Sequence, residues 1–308
     1  MIVCVLGGGG FVGTELVTRL VRAGHWVRVP TRNLNHSEQL RVLATAELVA
    51  ANVHEPRILS QLFADCDAVV NLVGILNPRG SATFETVHHQ LAAKVIQAAR
   101  AAGVRRLLHM SALGADEHGP SEYLRSKGRA ESQLRLVPHP EASHPEVSIL
   151  RPSVIFGPGD SLTNRFARLL RLSGGFLPLA RPQARFAPIS VFDVAEAFTR
   201  VLQAPGIQQG TYELCGPEVL TLERIVRLTA QVAGLPCHIM PLSDALARVQ
   251  GAVMGLLPGT PFSLDNFRSL TRDSVCREDG CRALGIAPQP LLAHLPNYLR
   301  AAPPQGFA

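Results

Sequence analysis

Apolar and polar residues follow two different periods along the first half of the chain. Ile2–Leu6 is a continuous apolar run bounded by glycine, as in a strand buried on both faces of a parallel sheet. Val12, Leu16, Val17, Leu20 and Val21 then recur at helical spacing, with Gly24 as the stop. Runs at 25–31, 48–53, 68–76, 106–111 and 147–151 predict further strands, the one at 68–76 central in the sheet. Between them lie helical patterns at 84–102, closed by Gly103, and at 123–136; the Pro- and His-rich stretch 138–146 reads as a loop. Strand and helix alternate, which predicts an α/β domain with a doubly wound parallel sheet.

After Arg151 the pattern changes to short elements broken by Pro and Gly. Helices are expected at 192–202, 221–233 (capped by Thr221), 243–257 and 291–299, with a strand at 211–214. Asp193 is expected to cap the helix over 192–202. The chain therefore divides into an α/β domain over 1–155 and a smaller α+β domain over 156–308, with 186–202 returning to the first. The apolar stretch 245–257 is either a packed helix of the small domain or a surface for a membrane or partner.

The turn after the first strand carries the chemistry. Gly7, Gly10 and Gly13 stand between strand and helix, and Gly8, Gly10 and Gly13 also satisfy Gly-x-Gly-x-x-Gly. Bare N–H groups at Phe11, Val12 and Gly13, a helix dipole and missing Cβ atoms suit a pyrophosphate, so the first domain reads as a dinucleotide-binding Rossmann fold. The second strand ends Val29-Pro30-Thr31-Arg32, with no acid before Glu38. An acid there would bind the 2′-hydroxyl of NAD(H); Arg32 instead favours the 2′-phosphate of NADP(H). Asn52 and Val53, then Val73 and Gly74, fall where adenine and ribose contacts are expected, or are plain turn and core residues.

Composition narrows the rest. The net charge is +6, and of 30 Lys and Arg only Lys94 and Lys127 are lysines. The arginines are scattered without interleaved aromatics, which argues against a nucleic-acid groove. No apolar run approaches a membrane span. With the first strand starting at residue 2, no leader and a cytoplasmic location are expected. Six cysteines without a Cys-x-x-Cys pair read as free packing thiols, and eleven histidines without a helical His-x-x-x-His predict no metal site.

Gly7–Gly13, Tyr123-Leu-Arg-Ser-Lys127, Leu150-Arg-Pro-Ser-Val-Ile-Phe-Gly157 and Pro188-Ile-Ser-Val-Phe-Asp193-Val-Ala together resemble the extended short-chain dehydrogenase/reductases, in that family's order over residues 1–220. Ser-Ala-Leu-Gly-Ala-Asp at 111–116, Leu257-Pro-Gly, the segment Asp265 to Asp273 and the closing Leu295-Pro-Asn-Tyr-Leu are similar to an atypical branch. That branch holds the nucleotide-binding accessory subunit of respiratory complex I and its bacterial relatives.

The resemblance implies that Tyr123 passes a proton to or from the substrate oxygen. Lys127, on the same helical face, would lower the tyrosine pKa and hold the nicotinamide ribose. Ser111 would polarise the substrate, or else caps the strand end; Ala112 and Leu113 after it carry no hydroxyl. His88 matches a position where the family has a cofactor-facing Asn, or is a satisfied half-buried histidine. Pro152 opens the loop that passes beneath the nicotinamide.

Two functions fit these residues. One is an NADP(H)-binding accessory protein of respiratory complex I, peripheral to the inner membrane. The other is an active NADP(H)-dependent reductase, dehydrogenase or epimerase for a small carbonyl, hydroxyl or quinone substrate. A redox-sensing regulator is a third reading.

Overall fold

The computed structural model describes residues 1–136, 145–203, 210–255 and 262–299. Loop residues 138–144 and the Leu257-Pro-Gly segment lie outside them. Strands β1 (Ile2–Leu6), β2 (Trp26–Thr31), β3 (Ala46–Ala50), β4 (Ala68–Asn71), β5 (Arg106–Met110) and β6 (Glu146–Pro152) join Gly210–Leu214 in one sheet. Its order is Gly210–Leu214, β6, β5, β4, β1, β2, β3, every pair parallel. The winding reverses between β1 and β4, and their carboxyl ends flank the crevice where such sheets bind ligands.

Both faces are covered, as the continuous apolar strands require. On one face α2 (Pro56–Phe63) and α3 (Leu91–Ala101) bury Leu59, Phe63, Val95 and Ile96 against Cys4, Leu6 and Leu107, joined by Leu134 of α4 (Glu122–Arg135). On the other, α1 (Phe11–Arg22) packs against the helix Val191–Gln203, burying Leu16, Val17, Leu20, Val194 and Phe198. Arg19 pairs with Glu196 across that contact.

Several elements differ from the pattern for local reasons. β4 stops at Asn71, because its side-chain Oδ1 accepts the Val73 N–H at 3.2 Å and turns the backbone out of the sheet. β3 stops at Ala50, and Asn52 then turns the chain toward α2, accepting from His54 N and donating to Glu55. The long helix over 84–102 opens as a π-helical turn, Glu85–Gln90, before α3. Asp193 is not the cap of its helix, which starts at Val191 and holds Asp193 in its first turn. Pro296, lacking an N–H, splits 291–299 into the turns Leu291–His294 and Pro296–Leu299.

The chain forms two compact units. One comprises Met1–Pro152, Val191–Leu214 and Glu278–Ile286; the other Ser153–Ser190, Cys215–Arg277 and the described residues from Ala287 on. In the second, helices Thr163–Leu172 and Leu222–Ala233 bury Leu170 and Val226 against Leu177 and Leu179 of the strand pair Phe176–Ala180 and His238–Leu242, and Ala167 and Ile225 against Phe156 and Leu291. Thr221 caps the second helix, accepting from Arg224 N at 3.1 Å. The helix Asp244–Gly255 packs through Ala247 and Gly251, while Leu246, Val249 and Val253 stay exposed.

The expectation of six free thiols is wrong at two positions. Cys215 and Cys276 form a disulfide, leaving Cys4, Cys66, Cys237 and Cys281 free. The pair is 61 residues apart, so spacing gave no sign of it. It becomes possible because the bridge between Phe186 and Ser274 draws the late segment in.

Candidate active site

Two loops at the crevice, one after β1 and one after β4, build the site. Gly7 turns with φ +79°, open to glycine at little cost, and Gly10 N–H closes the turn onto Gly7 O at 3.0 Å. A Cβ on Gly13 would lie 2.2 Å from Gly7 O, so only glycine lets α1 cross the strand end this closely. A Cβ on Gly10 would already crowd Gly7 O at 3.2 Å. The helix starts with no side-chain cap and no acid in its first turn. Its N–H groups at Phe11, Val12 and Gly13, beside these bare Cα positions, fit a pyrophosphate.

The β2–β3 connection closes over the same turn. A Cβ on Gly9 would fall 2.3 Å from Ser37 Oγ, and Gln39 donates to Thr14 Oγ1 at 3.2 Å. Arg32 is exposed at the end of β2, with no ion pair among the described residues. Thr31 and Asn33 fix the backbone around it: Thr31 Oγ1 donates to Asn33 O at 3.0 Å and Asn33 Oδ1 accepts from Asn35 N. Arg32 and Lys94 help push His54 below its usual pKa, after burial, so positive potential gathers here. Asn52 uses its side chain in its own turn, and Val53 packs into the core beside it.

The loop after β4 is held from beneath. Asn71 donates its amide to His109 Nδ1 at 3.3 Å, which leaves the His109 proton on Nε2; that nitrogen is buried without a partner among the described residues. Burial and nearby Lys127 lower His109 to about 3. His88, in the π-helical turn, accepts the Ile75 N–H on Nε2 at 3.0 Å and meets Ser126 Oγ through Nδ1 at 2.8 Å. It is therefore neutral with its proton on Nδ1, and burial, Lys127 and His109 lower it to about 2. Both nitrogens of His88 thus serve the protein, holding the Val73–Ile75 loop. The histidine is 1% exposed, more deeply buried than the half-buried position expected.

Helix α4 carries Tyr123 and Lys127. Ser121 caps it, accepting from Leu124 N, and Gly128 lets it lie against Asp116, where a Cβ would approach to 2.4 Å. Tyr123, Lys127 and Glu131 follow at four-residue intervals on one face. Lys127 is 3% exposed and donates to Met110 O at 2.9 Å; burial, opposed by Glu131, lowers its pKa to about 8. A Cβ on Gly74 would stand 3.3 Å from Lys127 Nζ and 3.5 Å from His88 Nε2, so the bare backbone of Gly74 lies over both. Tyr123 sits edge-on to His88 and Phe84, ring centroids 5.6 and 6.0 Å apart. Burial pushes its phenol up to about 12, the reverse of the lowering expected from the lysine. At neutral pH the phenol keeps its proton.

Ser111 lies just beyond the end of β5 and is buried. Its hydroxyl donates to Glu131 Oε1 at 2.5 Å, inside the protein. Arg151 grips the same carboxylate with Nε at 2.7 Å and Nη2 at 2.5 Å, and Arg135 adds Nη2 at 2.9 Å. The one proton of Ser111 is thereby committed to a buried ion pair. Pro152 ends β6 and accepts Leu113 N on its carbonyl at 2.9 Å.

Glu131, His109, Asn71 and Ser126 were not singled out from the sequence. Glu131 carried a usable signal, a carboxylate four residues beyond Lys127; Asn71 and His109 were polar letters at the ends of apolar strands. Among the described residues no helix is long and apolar enough to cross a membrane.

A model of an NAD(P)H-binding family matches residues 7–205. The chain is 28% identical over 317 residues to NADH dehydrogenase (ubiquinone) 1 alpha subcomplex subunit 9, mitochondrial, of Arabidopsis thaliana, covering 97% of this chain and 77% of that protein. It is 31% identical over 276 residues to a ceramide reductase of Caulobacter vibrioides, covering 87% and 84%. Its fold matches MoeE5 in complex with UDP-glucuronic acid and NAD, with a TM-score of 0.76 at 18% identity over 97% of this chain and 98% of that one.

Proposed function

Because this chain belongs to the extended short-chain dehydrogenase/reductases and carries their NAD(P)H-binding domain, we propose that it is an NADP(H)-dependent reductase of a carbonyl-type oxygen, a quinone included. The observation that carries this reading is the Tyr123–Lys127 pair on one face of α4, with the ammonium fixed on Met110 O and the phenol protonated. The dinucleotide, when bound, supplies the hydride. Gly7, Gly10 and Gly13 with the first N–H groups of α1 hold its pyrophosphate, and Arg32 holds the 2′-phosphate, which makes NADP(H) the preferred form. The Val73–Gly74 backbone and Pro152 border the nicotinamide end. Lys127 binds ribose hydroxyls and keeps positive charge beside Tyr123, and Tyr123 donates its proton to the substrate oxygen as negative charge grows there. Ser111 takes no part in this; His88 positions the loop bearing Gly74.

A second reading is an accessory subunit of a respiratory complex that keeps NADP(H) as a lasting ligand. The commitment of Ser111 to Glu131 supports it, since that pair removes a substrate polariser, as does the likeness to the Arabidopsis thaliana subunit. Single-turnover oxidation of bound NADPH by carbonyl and quinone panels, in wild type and Tyr123→Phe, separates the two.

A further inference from the structure

We propose that Cys215–Cys276 is a reversible redox-modification site that clamps the segments by which the chain enters and leaves its second unit and thereby sets how fast dinucleotide is released. The chain passes between its two units at Pro152/Ser153, Ser190/Val191, Leu214/Cys215, Arg277/Glu278 and Ile286/Ala287. Residues beside the first four of these passages are bonded into a single cluster within the second unit. Ser153 Oγ donates to Ser274 O at 2.7 Å, and Ala187 N–H reaches Ser274 O at 2.9 Å and Ser153 Oγ at 3.3 Å. Gly216 N–H donates to Ala187 O at 3.1 Å, and a Cβ on Gly216 would collide with Pro188 O at 1.7 Å. The disulfide is the one covalent tie in this cluster, joining the third passage to the fourth.

Its surroundings suit exchange. Both cysteines are half-buried, within reach of a thiol. The Cys276 backbone N–H donates to Cys215 Sγ at 3.0 Å, which favours negative charge on that sulfur. An external dithiol, attacking as a thiolate, therefore bonds to Cys276 Sγ and expels Cys215 as the leaving thiolate. Cys215 takes up a proton. The second thiolate of the reductant then displaces Cys276, which is protonated in turn, so the chain gains two thiols and the reductant leaves as a disulfide.

With the tie cut, the cluster rests on its hydrogen bonds alone. Ser153 follows directly on Pro152, whose carbonyl holds Leu113 beside the site, so slack passes straight to the strand ends there. The proposal needs dinucleotide binding only, not turnover.

The test is thiol counting with maleimide on the unfolded protein, taken from cells lysed with thiols blocked, together with stopped-flow release of the nicotinamide dinucleotide it binds more tightly. Four free thiols are expected before dithiothreitol and six after, with release at least threefold faster in the reduced form. Cys281→Ser should keep that difference, and Cys215→Ser should release at the reduced rate with or without dithiothreitol. Should the latter variant not fold, chemical reduction of the wild type gives the answer. Six blocked thiols at the outset, or one release rate in both states, overturns the proposal.

Discussion

Ser111 and Glu131 share a 2.5 Å hydrogen bond in an interior that leaves 3% of the serine and none of the glutamate exposed. Arg151 and Arg135 add to the carboxylate's shell, so the serine is one arm of a buried ion network. Ser111→Ala should therefore cost about 1.5–3 kcal/mol of stability, the range for a hydrogen bond to a charged group. It should leave single-turnover NADPH oxidation within about threefold of wild type, far less than a lost transition-state donor costs. Urea unfolding and stopped-flow absorbance measure the two quantities. Glu131→Ala, which strands Arg151, should be the more severe change, about 3–5 kcal/mol.

Lys127 makes a pH prediction whose sign is fixed by its environment. Its pKa falls from 10.5 to about 8 in the folded protein, so between those values the unfolded chain binds more protons than the native one. Stability from this group therefore rises with pH across that window. The penalty of burying the ammonium is present in full below about pH 8 and is relieved by about 3 kcal/mol on reaching 10.5. Unfolding free energies of wild type and Lys127→Met at pH 7.5 and 10.5 should show the wild type gaining on the variant as pH increases. Reductase activity should run the other way, falling above about pH 8 as the ammonium is lost.

Arg32 is poised at the end of β2 without an ion pair among the described residues, and no acid stands near it in sequence before Glu38. Arg32→Ala should weaken NADPH about tenfold or more, the loss of a charge-assisted bond to phosphate, and leave NADH affinity unchanged. Fluorescence titration with both dinucleotides checks this. Equal affinity of the wild type for the two would remove the basis for preferring NADP(H).

Much of the first unit was legible because each of its features rests on local sequence. The apolar run Ile2–Leu6 reads as a doubly covered strand, and the glycine spacing 7, 10, 13 suits a crossing so close that a Cβ on Gly13 would lie 2.2 Å from Gly7 O. Tyr123 and Lys127 share a face because a four-residue spacing on any helix does that. What escaped depended on long-range contacts. The disulfide joins residues that only a bridge between Phe186 and Ser274 draws together. The partner of Ser111 comes from twenty residues later on α4. The direction of the Tyr123 shift is illegible in the sequence because spacing shows the neighbouring charge and not the depth of burial, and burial dominates.

The central claim is that Tyr123 donates the proton in a reduction. It is tested most directly by single-turnover oxidation of bound NADPH, followed by absorbance in wild type and Tyr123→Phe against one carbonyl or quinone acceptor that the wild type reduces. The phenylalanine keeps the ring packing against Phe84 and His88, so NADPH affinity should stay within about twofold. The hydride-transfer rate should fall about 10²–10⁴-fold, the range for losing a general acid. An unchanged rate in Tyr123→Phe, or no oxidation by any acceptor in the wild type, would contradict the account and leave the nucleotide as a lasting ligand.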